Sequence, residues 1–404
     1  MKIAFIVQRY GVDILGGSEY HCRLIAERMA RRHDVDVVTT CARDYIRWEN
    51  EYPEGTDTVN GVTVRRFANA HTRDIDAFNR YSDWIFHHPH TREDEMSWLE
   101  QQGPWCPALI EYLEAHHHSY DVLIFFTYLY APTVLGVGID PAKSILVPTA
   151  HREPAIALDI YKEMFTKPSA IAFNTEVEKA FLKETFDIRA MGEETVGCGV
   201  DLLTDGAGTN QPDPKDSAPE FSRRHGFEQP FLLYGGRIDA GKGCDELIDY
   251  FTTYREQGGD AVLALMGAKL MPLPAVPWVR FLGLLSERER LRALEAATVV
   301  VVPSPLESLS LLALEGMAVG TPVLCNARAD VLVDHCRRSN AGLFYSDRDE
   351  FVECATLLLA DRQLRERMGH RGQAYVRQHY HWDVIMSKYD NLISALPRTA
   401  AVRR

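Results

Sequence analysis

Short runs of β-branched and aromatic residues alternate with longer segments of helical periodicity along almost the whole of this 404-residue chain. The runs fall near 2–8, 34–39, 62–67, 121–126, 144–148 and 169–173, and again at Phe231–Tyr234, Ala261–Met266, Val279–Phe281, Val299–Val302 and Pro322–Leu324. Strand, helix and strand repeated in this order predict a parallel sheet with helices on both faces, because parallel neighbours must be joined by a crossover. The rhythm breaks once. Residues 201–220 hold Gly206, Gly208, Asn210, Pro212, Pro214 and Pro219 among few apolar side chains, which predicts a linker. The reading is two doubly wound α/β domains, 1–200 and 226–380, with a linker over 201–225 and a C-terminal helix over 381–404. The stretch Arg73–Pro107, with Trp84, Trp98 and Trp105, follows neither the helical nor the strand period.

Charge and cysteine usage narrow the function class. Lys plus Arg number 44 and Asp plus Glu 57, so the net charge of −13 opposes a nucleic-acid polyanion as main partner. The eight cysteines stand singly with no C-x-x-C pair, which fits a reducing cytoplasm better than a disulfide framework. No run approaches the roughly 18 apolar residues of a spanning helix. The N-terminal Met1–Arg9 reads as a first strand rather than a signal peptide. Two local features keep peripheral membrane contact open: Arg23, Arg28, Arg31 and Arg32 on the first helix, and residues 361–404, where nine basic residues stand against four acidic ones. The histidine clusters His87, His88, His90 and His116–His118 read as solvated surface, since no ligand spacing accompanies them.

In doubly wound sheets ligands bind beyond the C-terminal ends of the strands, so chemistry is sought in strand-to-helix loops. Three stand out. Gly16-Gly17-Ser18-Glu19 follows the first strand, with Ser18 as the expected N-cap; the alternative is a plain turn. Tyr234-Gly235-Gly236-Arg237-Ile238-Asp239-Ala240-Gly241-Lys242-Gly243 sets two cations among glycines before a helix, a pattern suited to a diphosphate or else a tight turn with surface cations. No Ser or Thr follows Lys242 to hold magnesium, which argues against a nucleoside-triphosphate P-loop. The third, from Val302 to Pro322, puts Glu307 in a loop and Glu315 within the following helix, with Ser308 or Ser310 as cap. Carboxylates so placed can accept bonds from sugar or ribose hydroxyls, though Glu315 read alone is equally a salt-bridge partner.

Taken together, Glu307 and Glu315 as E-x7-E, the G-G-R-I-D-A-G-K-G at 235–243, Gly199-Val200-Asp201, Gly16-Gly17, Thr149-Ala150-His151 and Tyr380-His381-Trp382 resemble the retaining glycosyltransferases of family 4. The resemblance spans nearly the whole chain. It implies the GT-B fold, two Rossmann-like domains facing across a cleft with the C-terminal helix crossing back to the first. It also implies that Arg237 and Lys242 clasp the donor diphosphate and stabilise its growing charge. Glu315 would accept from the ribose and Glu307 from the donor sugar. Backbone around Gly236, Ser310 and Leu311 would add donors, the base would lie near Leu284, and His151 beside the anomeric carbon. The Gly16-Gly17 loop would approach the diphosphate from the first domain.

The activity so implied is retaining transfer of a hexosyl group from a GDP- or UDP-linked sugar to a glycan or lipid-linked acceptor in surface polysaccharide assembly. No protein nucleophile, metal or other cofactor is expected, and the site is cytoplasmic, with room for contact at the inner membrane face. Asp74-Ile75-Asp76 matches a metal-binding D-x-D but lacks a preceding strand and reads as a surface loop. Leu309 replaces a usual Phe and Cys198 a usual Asn, which bear on the shape of the donor pocket. The alternatives are a nucleotide-sugar epimerase or hydrolase of the same fold, or a non-catalytic nucleotide-sugar-binding partner.

Overall fold

The computed structural model describes residues 1–14, 16–201 and 217–397. The linker reading for 202–216 and the final basic residues of the tail, from 398 on, lie outside the described residues. The chain divides into two compact units, one of Met1–Cys198 with Met386–Arg404 and one of Gly199–Ile385.

The first unit contains β1 (Lys2–Ile6), β2 (Asp34–Thr40), β3 (Gly55–Val59), β4 (Val62–Phe67), β5 (Val122–Phe126), β6 (Ser144–Val147), β7 (Ala170–Phe173) and β8 (Gly192–Thr195). They form one sheet in the order β3-β4-β2-β1-β5-β6-β7-β8. Every pair is parallel except β3 with β4, which form an antiparallel hairpin at one edge. Every residue of β5 is buried, as expected for a strand covered on both faces. Leu99, Leu109, Leu123, Phe125, Leu146 and Phe173 belong to its core.

The second unit contains β9 (Phe231–Gly235), β10 (Val262–Met266), β11 (Val279–Gly283), β12 (Val299–Val302), β13 (Val323–Asn326) and β14 (Gly342–Tyr345). Their order, β11-β10-β9-β12-β13-β14, is that of a Rossmann sheet, with the strand order reversing between β9 and β12. All five pairs are parallel. The sheet is packed through Leu232, Leu263, Val301 and Leu324 against Leu247, Phe251 and Phe351 of the covering helices.

Several local readings change. Ala218–Arg224 is a helix capped by Ser217, inside the stretch read as linker. The unassigned Arg73–Pro107 stretch contains the helices Ile75–His87 and Arg92–Gln102. The second of these buries Glu95, Trp98, Leu99 and Gln102, which is helical spacing, but two of the four positions are polar and so erase the hydrophobic period. Asp74 is no loop residue: it caps the helix Ile75–His87, accepting from the Ala77 N–H at 2.9 Å. Helix Trp382–Ala395 begins in the second unit and ends in the first, where Tyr389 and Leu392 are buried.

Candidate functional site

In the second unit two loops meet at the reversal of strand order. The loop leaving β9 is shaped by Asp239, whose carboxylate accepts from the Lys242 backbone N–H at 2.8 Å and closes the short turn Ala240–Lys242. The Tyr234 hydroxyl donates to the Arg237 carbonyl at 2.7 Å. Gly243 then has φ of 71°, and a Cβ there would stand 2.5 Å from the carbonyl oxygen of Pro303 in the loop leaving β12. Only glycine lets these backbones approach so closely with that φ.

The approach sets Lys242 Nζ 2.8 Å from Glu307 Oε1 and 3.3 Å from Ser304 Oγ. Arg237 Nε lies 3.5 Å from Asp239 Oδ2. A lysine, an arginine, two carboxylates and the N-terminus of the helix Leu311–Val319 are thus gathered on loops that leave adjacent strands. The helix contributes N–H groups of its first turn, which have no intrahelical acceptor. Ser310 holds the N-cap position with φ of 65°, but its side chain makes no capping bond, so the expected hydroxyl cap by Ser310 is not formed.

This loop is braced from behind. His335 Nε2 lies 2.8 Å from the Leu309 carbonyl and its Nδ1 3.1 Å from the Tyr375 hydroxyl. A carbonyl can only accept, so Nε2 carries the hydrogen and Nδ1 accepts from Tyr375. Burial pushes His335 down to about 4 and keeps the ring neutral. Glu315, buried within the helix, pairs with Arg290 from the helix Glu287–Ala296. The salt-bridge alternative for Glu315 is therefore realised, and a ribose hydroxyl at this carboxylate would share it with Arg290. Leu284, in the turn after β11, is 64% exposed.

In the first unit the loop after β1 is built on an ion pair. Arg9 Nε and Nη2 reach Glu19 Oε1 at 2.9 and 2.5 Å, both side chains being buried. Burial alone would raise the Glu19 carboxyl, but Arg9, together with the Ser18 hydroxyl and the Glu19 backbone N–H, outweighs it and holds the carboxyl below its ordinary range. The carboxylate folds over Gly16, where a Cβ would stand 1.9 Å from Glu19 Oε2. Gly16, not Ser18, is the N-cap of the helix Gly17–Met29; the Ser18 hydroxyl donates to Glu19 Oε2 at 2.8 Å. The reason is that Glu19 already fills the capping space.

His151 follows β6, with Nδ1 3.6 Å from Glu153 Oε1, and Glu153 in turn accepts from the Tyr128 hydroxyl at 2.6 Å. Buried Glu178 ties this loop down by accepting from the Ala150 N–H at 2.5 Å and from the Asn174 N–H. Burial pushes its carboxyl up to about 8 against the pull of those two donors.

The candidates thus fall into two sets, one per unit: Arg237, Lys242, Glu307, Ser310, Leu311, Glu315, Gly236 and Leu284 in the second, Gly16, Gly17 and His151 in the first. Sequence reasoning missed Arg9, Glu178, Arg290 and His335, which lack a local signature, and it named Glu19 within its loop without foreseeing the pair with Arg9. Asp239 was findable, since an aspartate just before a helical turn, accepting from the N–H three residues on, is an N-cap signal. Among the described residues no group of three or more His, Cys, Asp or Glu could hold a metal ion.

Residues 217–375, inside the second unit, match the family described as glycosyl transferases group 1. An uncharacterized glycosyltransferase of Methanocaldococcus jannaschii is 24% identical over 97% of each chain. A D-inositol 3-phosphate glycosyltransferase of Thermobifida fusca is 29% identical over 90% of this chain and 85% of its own. Among solved structures, sucrose-phosphate synthase of Thermosynechococcus elongatus superposes with a TM-score of 0.69 at 18% identity, covering 98% of both chains. Anabaena HepE, solved with UDP-glucose, gives 0.70 at 16% identity over 98% of this chain and 100% of its own. The chain accordingly has the GT-B fold of glycosyltransferases and carries a glycosyl transferases group 1 domain at 217–375.

Proposed function

We propose that this chain is a retaining glycosyltransferase of family 4 that moves a hexosyl group from a nucleotide diphosphate sugar to a hydroxyl of a glycan or lipid-linked acceptor. The observation that carries the reading is the meeting of Lys242 and Glu307, on the loops after β9 and β12, where the strand order reverses. The naming of a UDP-glucose complex for a relative of the same fold supports the donor class, and the D-inositol 3-phosphate glycosyltransferases support a hydroxyl acceptor.

In the proposed reaction the bond from the anomeric carbon to the diphosphate oxygen breaks, and a bond to the acceptor oxygen forms on the same face. The leaving phosphate oxygen takes the acceptor's proton. Arg237 and Lys242 hold the diphosphate and stabilise the charge that collects on it, the interaction that strengthens most as the bond breaks. Lys242 must exchange part of its contact with Glu307 for phosphate, which frees a Glu307 oxygen to accept from the sugar. Glu315, already oriented by Arg290, is proposed to receive the ribose. His151 is proposed to face the donor sugar. No metal is required in this scheme, because two cations stand where its charge would act, and a cytoplasmic site, where nucleotide sugars are made, is part of the proposal.

A thermal-shift series with GDP-, UDP- and dTDP-sugars tests the donor class, since a ligand bound only by the folded state raises Tm by mass action. One of them is expected to raise Tm, and the shift and the transfer rate are both expected to collapse in Lys242→Ala and Arg237→Ala, turnover by about a hundredfold or more. Transfer at the normal rate in both variants would sink the diphosphate assignment. Product anomeric configuration, read by NMR, tests retention, and transfer in excess chelator tests metal independence.

A further inference from the structure

Beside the edge strand β14 the second unit carries a pocket of about 270 Å³ between that strand and the helices Asp330–Ser339 and Arg362–His379. Its lining includes Asn340 and Gly342 at the N-terminal end of β14, whereas the Lys242 and Glu307 loops leave the C-terminal ends of strands in the same parallel sheet. Its wall combines Arg337, Arg367 and Arg371 with Phe344, Leu364 and Met368, and no carboxylate lines it. The Arg337 guanidinium lies 5.5 Å from the Phe344 ring centroid.

The neighbouring arginines behave differently. Arg338 reaches Asp334 at 3.5 Å, Arg362 reaches Glu366 at 2.7 Å, and Arg365 donates to the Leu358 and Leu359 carbonyls. Among the described residues, no ion pair joins any of the three that line the pocket. Three like charges around one concavity repel each other, but they offer a dianion up to three guanidinium forks. The apolar wall between them would be wasted on an inorganic ion and suits a guest with a hydrophobic body.

We propose that this pocket binds a phosphate group carried on an apolar ring or chain, at a site separate from the donor loops. The source is either a soluble phosphate ester or the headgroup of an anionic lipid, and the shared chemistry is the phosphate with its apolar neighbour. The proposal is independent of the donor assignment.

Titration calorimetry with phenyl phosphate, with inorganic phosphate and phenol as single-part probes, tests the recognition. Phenyl phosphate is expected to bind more tightly than either part, equally well to the wild type and to Lys242→Ala, which removes the donor-loop lysine. In the triple variant R337A/R367A/R371A the affinity is expected to fall by at least about tenfold, and added salt is expected to weaken binding to the wild type. Exposed arginines tolerate truncation, so the variant should keep its Tm, and the three single variants provide the same readout if it does not.

Co-sedimentation with phosphatidylglycerol vesicles, against phosphatidylcholine alone, separates the sources. Retention that disappears in the triple variant assigns the pocket to lipid; phenyl phosphate binding without retention assigns it to a soluble ester. Absence of binding to both phenyl phosphate and phosphatidylglycerol, or binding unchanged by the three substitutions, would overturn the proposal. So would loss of phenyl phosphate binding in Lys242→Ala with full binding in the triple variant, since that places the phosphate at the donor loops.

Discussion

Arg9 and Glu19 show how much a single pair can decide. A charge removed from water is tolerated only while its partner stays, and truncating one partner leaves the other buried and uncompensated. Arg9→Met is therefore expected to cost about 3–5 kcal/mol and to release the Gly16-Gly17 turn, because the carboxylate that folds over Gly16 would seek solvent. Urea unfolding of the variant measures this, and a loss below about 1 kcal/mol would show the pair to be dispensable. Replacing both partners, as in R9M/E19L, should recover much of the loss, since neither charge then remains. Arg9 was unreadable in sequence for a plain reason. Ten residues separate it from Glu19, and a strand, a loop and a helix must all form before the two meet.

The element most worth perturbing is the β9 loop. Gly243→Ala is expected to destabilise the second unit by about 1–3 kcal/mol, from the positive φ and from the Pro303 carbonyl that a methyl would strike. It should also weaken donor-induced stabilisation by pushing the Lys242 loop away from Glu307. Unfolding with and without nucleotide sugar separates the two effects; unchanged stability would mean that the loop has another way to close.

At this scale sequence legibility was uneven. Strands buried on both faces, such as β5, β10 and β12, are continuous apolar runs and stand out. The edge strands β3 and β8 did not: β3 is almost wholly exposed Gly-Thr-Asp-Thr-Val, and β8 is Gly-Glu-Glu-Thr, so neither shows a buried stripe. The charged loop residues of the proposed donor site were legible because their chemistry is local, while the residues that brace them, His335 and Arg290, come from distant helices.

Across the whole molecule, buried titratable groups set a window of pH. His21, held near Gly197 in the first unit, and His335 in the second are each pushed down to about 4 by burial. They stay neutral in the fold and bind protons only on unfolding, so their contribution is complete above pH 6.5 and is lost as pH falls from 6.5 toward 4, about 3 kcal/mol each. Glu178 acts with the opposite sign. Its carboxyl, raised to about 8, favours the protonated form, so stability falls as pH rises from about 4.5 through 8. Denaturation midpoints are therefore expected to peak near pH 6.5. His335→Gln should flatten the acid limb and Glu178→Gln the alkaline one; limbs that keep their slopes in these variants would refute the assignment.

The helix Trp382–Ala395 bears on the order in which the chain can fold. Since its last turns supply Tyr389 and Leu392 to the first unit, that unit is written in two pieces of sequence separated by the entire second unit. During synthesis the second unit can finish before the first has received its closing helix. The early segment must then wait with an unfilled strip beside β8, where Gly192 meets Leu392 and Ala395. A fragment ending at Cys198 would carry that strip permanently, so a separately expressed first unit would need the residues from Met386 onward grafted back to be self-sufficient.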